Sequence, residues 1–303
     1  MKKCLIKKIY IYINSDKRSI GSLHKINNGK KVTKPIFIVG APRSGTTLLY
    51  HILCNHRDLS FFTYNILRAG VYRRGRILGY RKELLARIQN LVHRDELSFE
   101  PHEAPECWSK YLGTYDYLTE YDCTEEMVDH YLQVIALVQT IFRRPRFVNK
   151  NPQHCTRVRI LNRIFPDAKF IHIIRDGTAV ACSTFYTSSK TPRTDLYFST
   201  LREKIFPLLG DKYSSGTLSE TELYKLARDM LVSKAREAKA FESDRYHEII
   251  YEELVAKPRE KINELLGFCE LTSYQDFEDR LPEIRNENLK WKNMLREKNS
   301  HKP

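Results

Sequence analysis

No C-x-x-C pair occurs in the 303 residues, and the seven cysteines, at positions 4, 54, 107, 123, 155, 182 and 269, are odd in number. That pattern argues against a disulfide framework and a zinc ribbon, and leaves reduced thiols that mostly pack. No stretch approaches the roughly 20 apolar residues of a membrane span. The first residues, MKKCLIKKIYIYIN, carry only a short apolar run, broken by Lys7 and Lys8 and followed by Asn14-Ser15-Asp16-Lys17. A small-residue cleavage site is missing, which argues against a secretory leader. A basic tail or an extra strand is expected there, with contact to a membrane surface left open. The sequence reads as cytoplasmic.

Acidic residues are also scarce: 37 against 51 Lys and Arg, for a formal net charge of +14. Such a balance favours anionic partners such as nucleic acid, acidic glycans, membrane surfaces or phosphorylated cofactors, with plain solubility charge as the alternative. No nucleic-acid-binding signature accompanies it, so no nucleic-acid partner is expected.

One further shortage concerns a single lysine. GAPRSGTT, residues 40 to 47, follows the apolar run IFIV. Gly, four residues, Gly, one residue, then Ser or Thr is the outline of a phosphate-binding loop. Thr46 stands where a nucleotide triphosphatase carries its lysine, and Arg43 lies three residues earlier. An acidic magnesium ligand at the end of an apolar strand is not apparent either. The anion cradle therefore survives while the metal chemistry is weakened. Backbone N–H groups, the positive end of a helix, the close approach that Gly45 permits and the hydroxyls of Thr46 and Thr47 make the cradle. Arg43 and Lys150 would supply its positive charge.

What is present along the chain reads as an α/β fold. Residues 15 to 34 are a polar linker, so 1–34 form a tail and 35–303 a single domain. IFIV suits a parallel strand buried on both faces, and TTLLYHILCNH a helix opening at Thr46 or Thr47. The Arg/Lys/Tyr-rich stretch 66–94 is either a solvated amphipathic helix or a basic lid. SFEPHEAPECWSK, 98 to 110, reads as a proline-broken loop, and 127–142 as a buried helix. FVNKNPQH is a short strand end and turn. CTRVRILNRIF is a helix stopped by Pro166. FIHII, 170 to 174, is another buried strand, leading into RDGTAVACSTF. Ser219 and Glu222 make a capping box for a helix reaching about residue 243. HEIIYEEL holds a further strand, before a helix in LVAKPREKINELLGF. Strands alternating with helices predict a mostly parallel sheet covered on both faces, with ligands beyond the carboxyl ends of its strands. GAPRSGTT, NKNPQH and RDGTAVACS should therefore meet at one edge.

IFIVGAPRSGTTLL together with NKNPQHCTRVRILNRIFPDAKFIHIIRDGTAVACS resembles the sulfotransferases that use 3′-phosphoadenosine 5′-phosphosulfate (PAPS), nearest the bacterial and tyrosylprotein-type members. The resemblance implies a P-loop-type three-layer αβα fold with helical acceptor-binding insertions, PAPS as donor, release of adenosine 3′,5′-bisphosphate, and no metal. It implies that Pro42, Arg43, Ser44, Gly45, Thr46 and Thr47 hold the 5′-phosphosulfate. Arg175 and Ser183 would grip the 3′-phosphate, and Tyr251 would lie near the adenosine. Lys290 and Lys292, around Trp291, would belong to a loop closing over the cofactor, and Lys150 would join Arg43 at the sulfonate. Tyrosylprotein-type members place a glutamate about twenty residues after the loop, where this chain has SFFTYNILR and no acid. The candidate bases are then Glu103, His102 and Glu106 in EPHEAPE, with Glu103 first. His154 is as well read as a cap or core residue, and His172, inside an apolar strand, as a core histidine. The expected acceptor is a hydroxyl or amine of a glycan, lipid or metabolite. An ATP-dependent small-molecule kinase and a basic anion-binding module are the alternatives.

Overall fold

The computed structural model describes residues 32–63, 72–73, 76–77, 100–190, 199–241 and 244–288. A five-stranded sheet stands at the centre, in the order β2-β5-β1-β6-β7. Its strands are β1 (Ile36–Val39), β2 (Leu59–Ser60), β5 (Arg146–Lys150), β6 (Lys169–Ile174) and β7 (Tyr246–Ile250). Every pairing in it is parallel. A separate antiparallel pair joins β3 (Tyr72–Arg73) to β4 (Arg76–Ile77). All residues of β1 and β6 are buried, as strands covered on both faces require.

Helices cover the sheet: α1 (Thr46–Cys54), α2 (Pro105–Leu112), α3 (Glu125–Phe142), α4 (Val158–Ile164), α5 (Gly177–Lys190), α6 (Glu220–Ala235), α7 (Tyr251–Ala256), α8 (Pro258–Phe268) and α9 (Gln275–Asp279). An aromatic cluster fixes one face. Phe37 of β1 meets Trp108, His154, Phe165 and Phe170 with ring centroids 5.4–5.9 Å apart. Trp108 in turn stacks on Tyr131 of α3 at 5.0 Å. Offset and edge contacts of this kind add to plain apolar burial. The six described cysteines are free and five are buried; burial pushes the Cys155 and Cys269 thiols up to about 12. Cys4 lies outside the described residues. Among the described residues no helix is long and apolar enough to cross a membrane.

Four local readings shift. Residues 105–112 are helical, because Pro105 occupies the first turn, where its missing N–H costs nothing. The run from Pro152 opens as a 3₁₀ turn to Thr156, and α4 begins only at Val158. The Ser219–Glu222 capping box forms, yet α6 stops at Ala235 and tightens into a 3₁₀ turn over Arg236–Ala240. Tyr251 opens a helix directly after β7 rather than ending a strand. The stretch 66–94 lies largely outside the described residues; only β3 and β4 fall within it.

The sheet order decides what meets. β1 is central, with β5 on one side and β6 on the other. The carboxyl ends of four neighbouring strands therefore present Lys150, the loop 40–45, Arg175 and Tyr251 side by side. The three sequence motifs do share that edge.

Candidate active site

The loop between β1 and α1 is built for close backbone approach. Gly45 sits at φ 99° and precedes the helix, with no side chain capping the helix start. A Cβ on Gly45 would stand 2.6 Å from Cδ2 of Tyr251, so the loop lies directly on that ring. Arg43 also takes the left-handed region, at φ 67°, which a non-glycine residue adopts only under constraint. The N–H of Ser44 turns back to the carbonyl of Ala41 at 3.1 Å. The buried Ser44 Oγ has no hydrogen-bond partner among the described residues. Uncapped helix-start N–H groups and an orphaned buried hydroxyl are what an anion would satisfy.

On the β6 side, Arg43 Nε donates to Ser183 Oγ at 3.1 Å. Arg175, the first residue after β6, is 7% exposed. It donates from Nη1 to the carbonyl of Arg43 at 3.0 Å and from Nε to Asn288 Oδ1 at 2.7 Å. Its guanidinium lies 4.4 Å from the centroid of the Tyr251 ring. Burial lowers its pKa, but an arginine remains charged. The Tyr251 hydroxyl donates to the carbonyl of Arg285 and accepts from the N–H of Glu287, each at 3.2 Å.

These groups line one cleft of about 650 Å³. Arg43, Gly45, Thr46, Thr47, Arg175, Ser183 and Tyr251 all face it. Pro42 and Ser44 shape the loop behind that wall. Tyr186 and Thr187 also face the cleft, as do Glu283, Arg285 and Glu287. The sequence reading assigned none of these five to the donor. Tyr186 and Thr187 follow Ser183 by three and four residues on α5, so helical spacing was a usable signal for them. No motif marks Arg285. Lys290 and Lys292 lie outside the described residues.

On the β5 side stands a second arrangement. Lys150 ends β5 with a side chain only 4% exposed, and its Nζ donates to Glu103 Oε1, whose side chain is 37% exposed. Neither residue lines the cleft on the β6 side. Arg43 and Lys150, expected together, thus flank the loop in opposite directions, Arg43 turned toward Ser183 and Lys150 toward Glu103. His102 is tied into the chain: its N–H donates to the carbonyl of Phe62 at 2.7 Å, and its Nδ1 accepts from the N–H of Ala104 at 3.0 Å. Glu106 is exposed on α2.

His154 and His172, also weighed from the sequence, are core residues. His154 is wholly buried, edge-on to Trp108 at 4.8 Å, with Nε2 3.1 Å from Asn149 Oδ1. Burial pulls its pKa well below the ordinary value. His172 Nδ1 lies 2.7 Å from the Tyr246 hydroxyl, and burial brings its pKa down to about 3. Among the described residues no group of His, Cys, Asp and Glu is arranged to hold a metal ion.

Comparison with known proteins bears on the family and the fold. The pattern of the sulfotransferase family matches residues 35–276. The omega-hydroxy-beta-dihydromenaquinone-9 sulfotransferase Stf3 of Mycobacterium bovis is 28% identical over 91% of this chain and 74% of its own length. Human protein-tyrosine sulfotransferase 1 is 29% identical over 48% of this chain and 32% of its own. Sulfotransferase STF1 from Mycobacterium tuberculosis H37Rv shares the fold, with a TM-score of 0.54 and 17% identity over 84% of this chain and 72% of that one. STF9 from Mycobacterium avium does so at 0.50 and 15%, over 95% of this chain and 72% of that one. With a matching pattern over most of its length and a phosphate loop at the centre of the expected sheet, the chain belongs to the sulfotransferase family.

Proposed function

We propose that this enzyme takes its sulfonyl group from PAPS and delivers it to the hydroxyl of an acceptor. The single observation that carries the donor assignment is the shared cleft of the uncapped loop, Arg43, Arg175, Ser183 and Tyr251. Its residues suit a ligand with two separate anionic ends and an aromatic base. The N–H groups of Gly45, Thr46 and Thr47, with the Thr hydroxyls, would hold the 5′-phosphosulfate. Arg175 and Ser183 would hold the 3′-phosphate, and Tyr251 the adenosine side. The donor, when bound, supplies an activated sulfonyl group and a bisphosphate leaving group.

The chain's own work is positioning and charge. Arg43 cannot give up a proton at neutral pH, so it acts as a fixed cation near the group that gains charge. Glu103 would take the acceptor's hydroxyl proton on Oε2, since Oε1 accepts from Lys150. Lys150 fixes that carboxylate and brings a second cation to the β5 side of the loop. His102, anchored at Nδ1 by the backbone, orders the turn that carries Glu103.

The acceptor is a hydroxyl-bearing glycan, lipid or metabolite. The relative that aligns with 91% of this chain is named for an omega-hydroxy menaquinone, which favours a lipid hydroxyl. The kinase alternative finds no support beside the family match. Calorimetric titration with adenosine 3′,5′-bisphosphate in the presence of chelator tests the donor. Micromolar binding is expected for the wild type; binding of ATP–magnesium in its place would overturn the reading. Transfer of label from radiolabelled PAPS to hydroxylated quinones, glycans and small alcohols then tests the acceptor.

A further inference from the structure

Residues 281–288 run across the donor cleft as a strap. Leu281 and Ile284 pack on the hydrophobic core. Glu283, Arg285 and Glu287 face the cleft. Two polar links fasten it. The Tyr251 hydroxyl binds the backbone at Arg285 and Glu287. Asn288 reaches two ways: its Oδ1 accepts from Arg175 Nε, and its Nδ2 donates to Glu252 Oε1 at 2.6 Å. The same Glu252 oxygen accepts the backbone N–H of Asp176 at 3.1 Å.

We propose that Asn288 and Glu252 are positioning residues for Arg175, latching the strap to the turn after β6 and aiming the remaining guanidinium edge at the donor's phosphate. The proposal rests on the donor reading above. With Nε held by Asn288 and Nη1 by the Arg43 carbonyl, Nη2 of Arg175 is left without a protein partner among the described residues. Both fixed bonds end on neutral oxygens. Glu252 lies close enough to favour the charge on Arg175, as does Glu287, but its hydrogen bond goes to the amide of Asn288 and not to the guanidinium. That separation matters, because a carboxylate bonded directly to the guanidinium would compete with the phosphate for the same cation. An amide both orients the arginine and leaves its charge available. Asp176 adds to this, since its N–H shares the Glu252 oxygen: the turn that presents Arg175 and the strap that covers it are fastened to one atom.

Three variants of the full-length chain test the latch by calorimetric titration with adenosine 3′,5′-bisphosphate, after a thermal melt confirms folding. Asn288→Asp keeps the shape, places a carboxylate on Arg175 and repels Glu252; it should weaken binding at least tenfold. Glu252→Ala releases Asn288 and should weaken binding by a similar factor. Glu252→Gln keeps an oxygen able to accept both bonds and should stay within threefold of wild type. Asn288→Asp is nearly isosteric, so a purely structural role for Asn288 would leave its affinity unchanged. Wild-type binding with Asn288→Asp and Glu252→Ala both within threefold would overturn the latch and leave the donor reading standing. No binding by the wild type would overturn the donor reading and the latch with it.

Discussion

The two flanks of the phosphate loop are built differently. Toward β6, Arg43, Ser183, Arg175, Tyr251 and the strap form a continuous hydrogen-bonded wall around one cleft. Toward β5, one ion pair between Lys150 and Glu103 carries the assignment. On the proposed assignment of donor to the β6 flank and acceptor to the β5 flank, the difference follows from what each would recognise. A donor shared by a whole family needs a fixed set of cations and N–H groups, pre-organised on rigid strand ends. The flank proposed for the acceptor would need only a base held in place.

The contrast can be broken by mutation. The largest effect is expected on the β5 side, where Glu103→Gln should lower kcat by about 10²–10⁴-fold, the range of a general base. Calorimetry should find its affinity for adenosine 3′,5′-bisphosphate unchanged; a parallel loss of affinity would show that the flanks do not act separately. Arg175→Ala comes next. Losing a buried, charge-assisted contact should weaken that nucleotide on the order of 100-fold, about 2.7 kcal/mol, while KM for the acceptor stays put. Equal losses in both constants would assign Arg175 to the scaffold.

Gly45→Ala probes the shared hinge of the two flanks. The new methyl meets the Tyr251 ring at 2.6 Å in a backbone conformation that alanine resists, a strain of about 1–3 kcal/mol. A lower Tm and weaker nucleotide binding should appear together. The smallest effect touches neither flank. His172 is held neutral by burial, with its pKa at about 3 against 6.5 when free. The unfolded chain therefore takes up this proton first as pH falls. Stability from the neutral ring is complete above pH 6.5 and declines from there toward pH 3, at up to about 1.4 kcal/mol per pH unit. Chemical denaturation at pH 7 and pH 5 should show a smaller loss in His172→Phe than in wild type, with nucleotide affinity at pH 7 unaltered.

Much of the fold was legible along the chain. The apolar run at 36–39, and the run at 170–174 that only His172 interrupts, suit strands of a sheet covered on both faces. GAPRSGTT identified its own loop because its glycine, proline and hydroxyl positions are local demands of the backbone. RDGTAVACS did the same for Arg175 and Ser183, since one turn and one helix carry both. β2 was missed: two residues hold too little pattern to read, and their pairing with β5 is made at long range. The early stop of α6 at Ala235 was missed as well, because REAKA carries no breaker to mark the change to a 3₁₀ turn.

By itself, the sequence determined the chemistry on offer: an anion cradle without its phosphate lysine, two arginines in fixed motifs, and a short acidic segment holding the candidate bases. These are properties of residue type and local spacing, which need no partner to exist. Only the tertiary structure decided who faces whom. Sheet order put Lys150 and Arg175 on opposite sides of one loop, turned Arg43 toward Ser183, brought Glu103 to Lys150 across 47 residues of chain, and laid the strap at Asn288 against Arg175 from 113 residues away. Parallel strands require long crossovers, so the groups they bring together are distant in sequence, and no local pattern records the meeting.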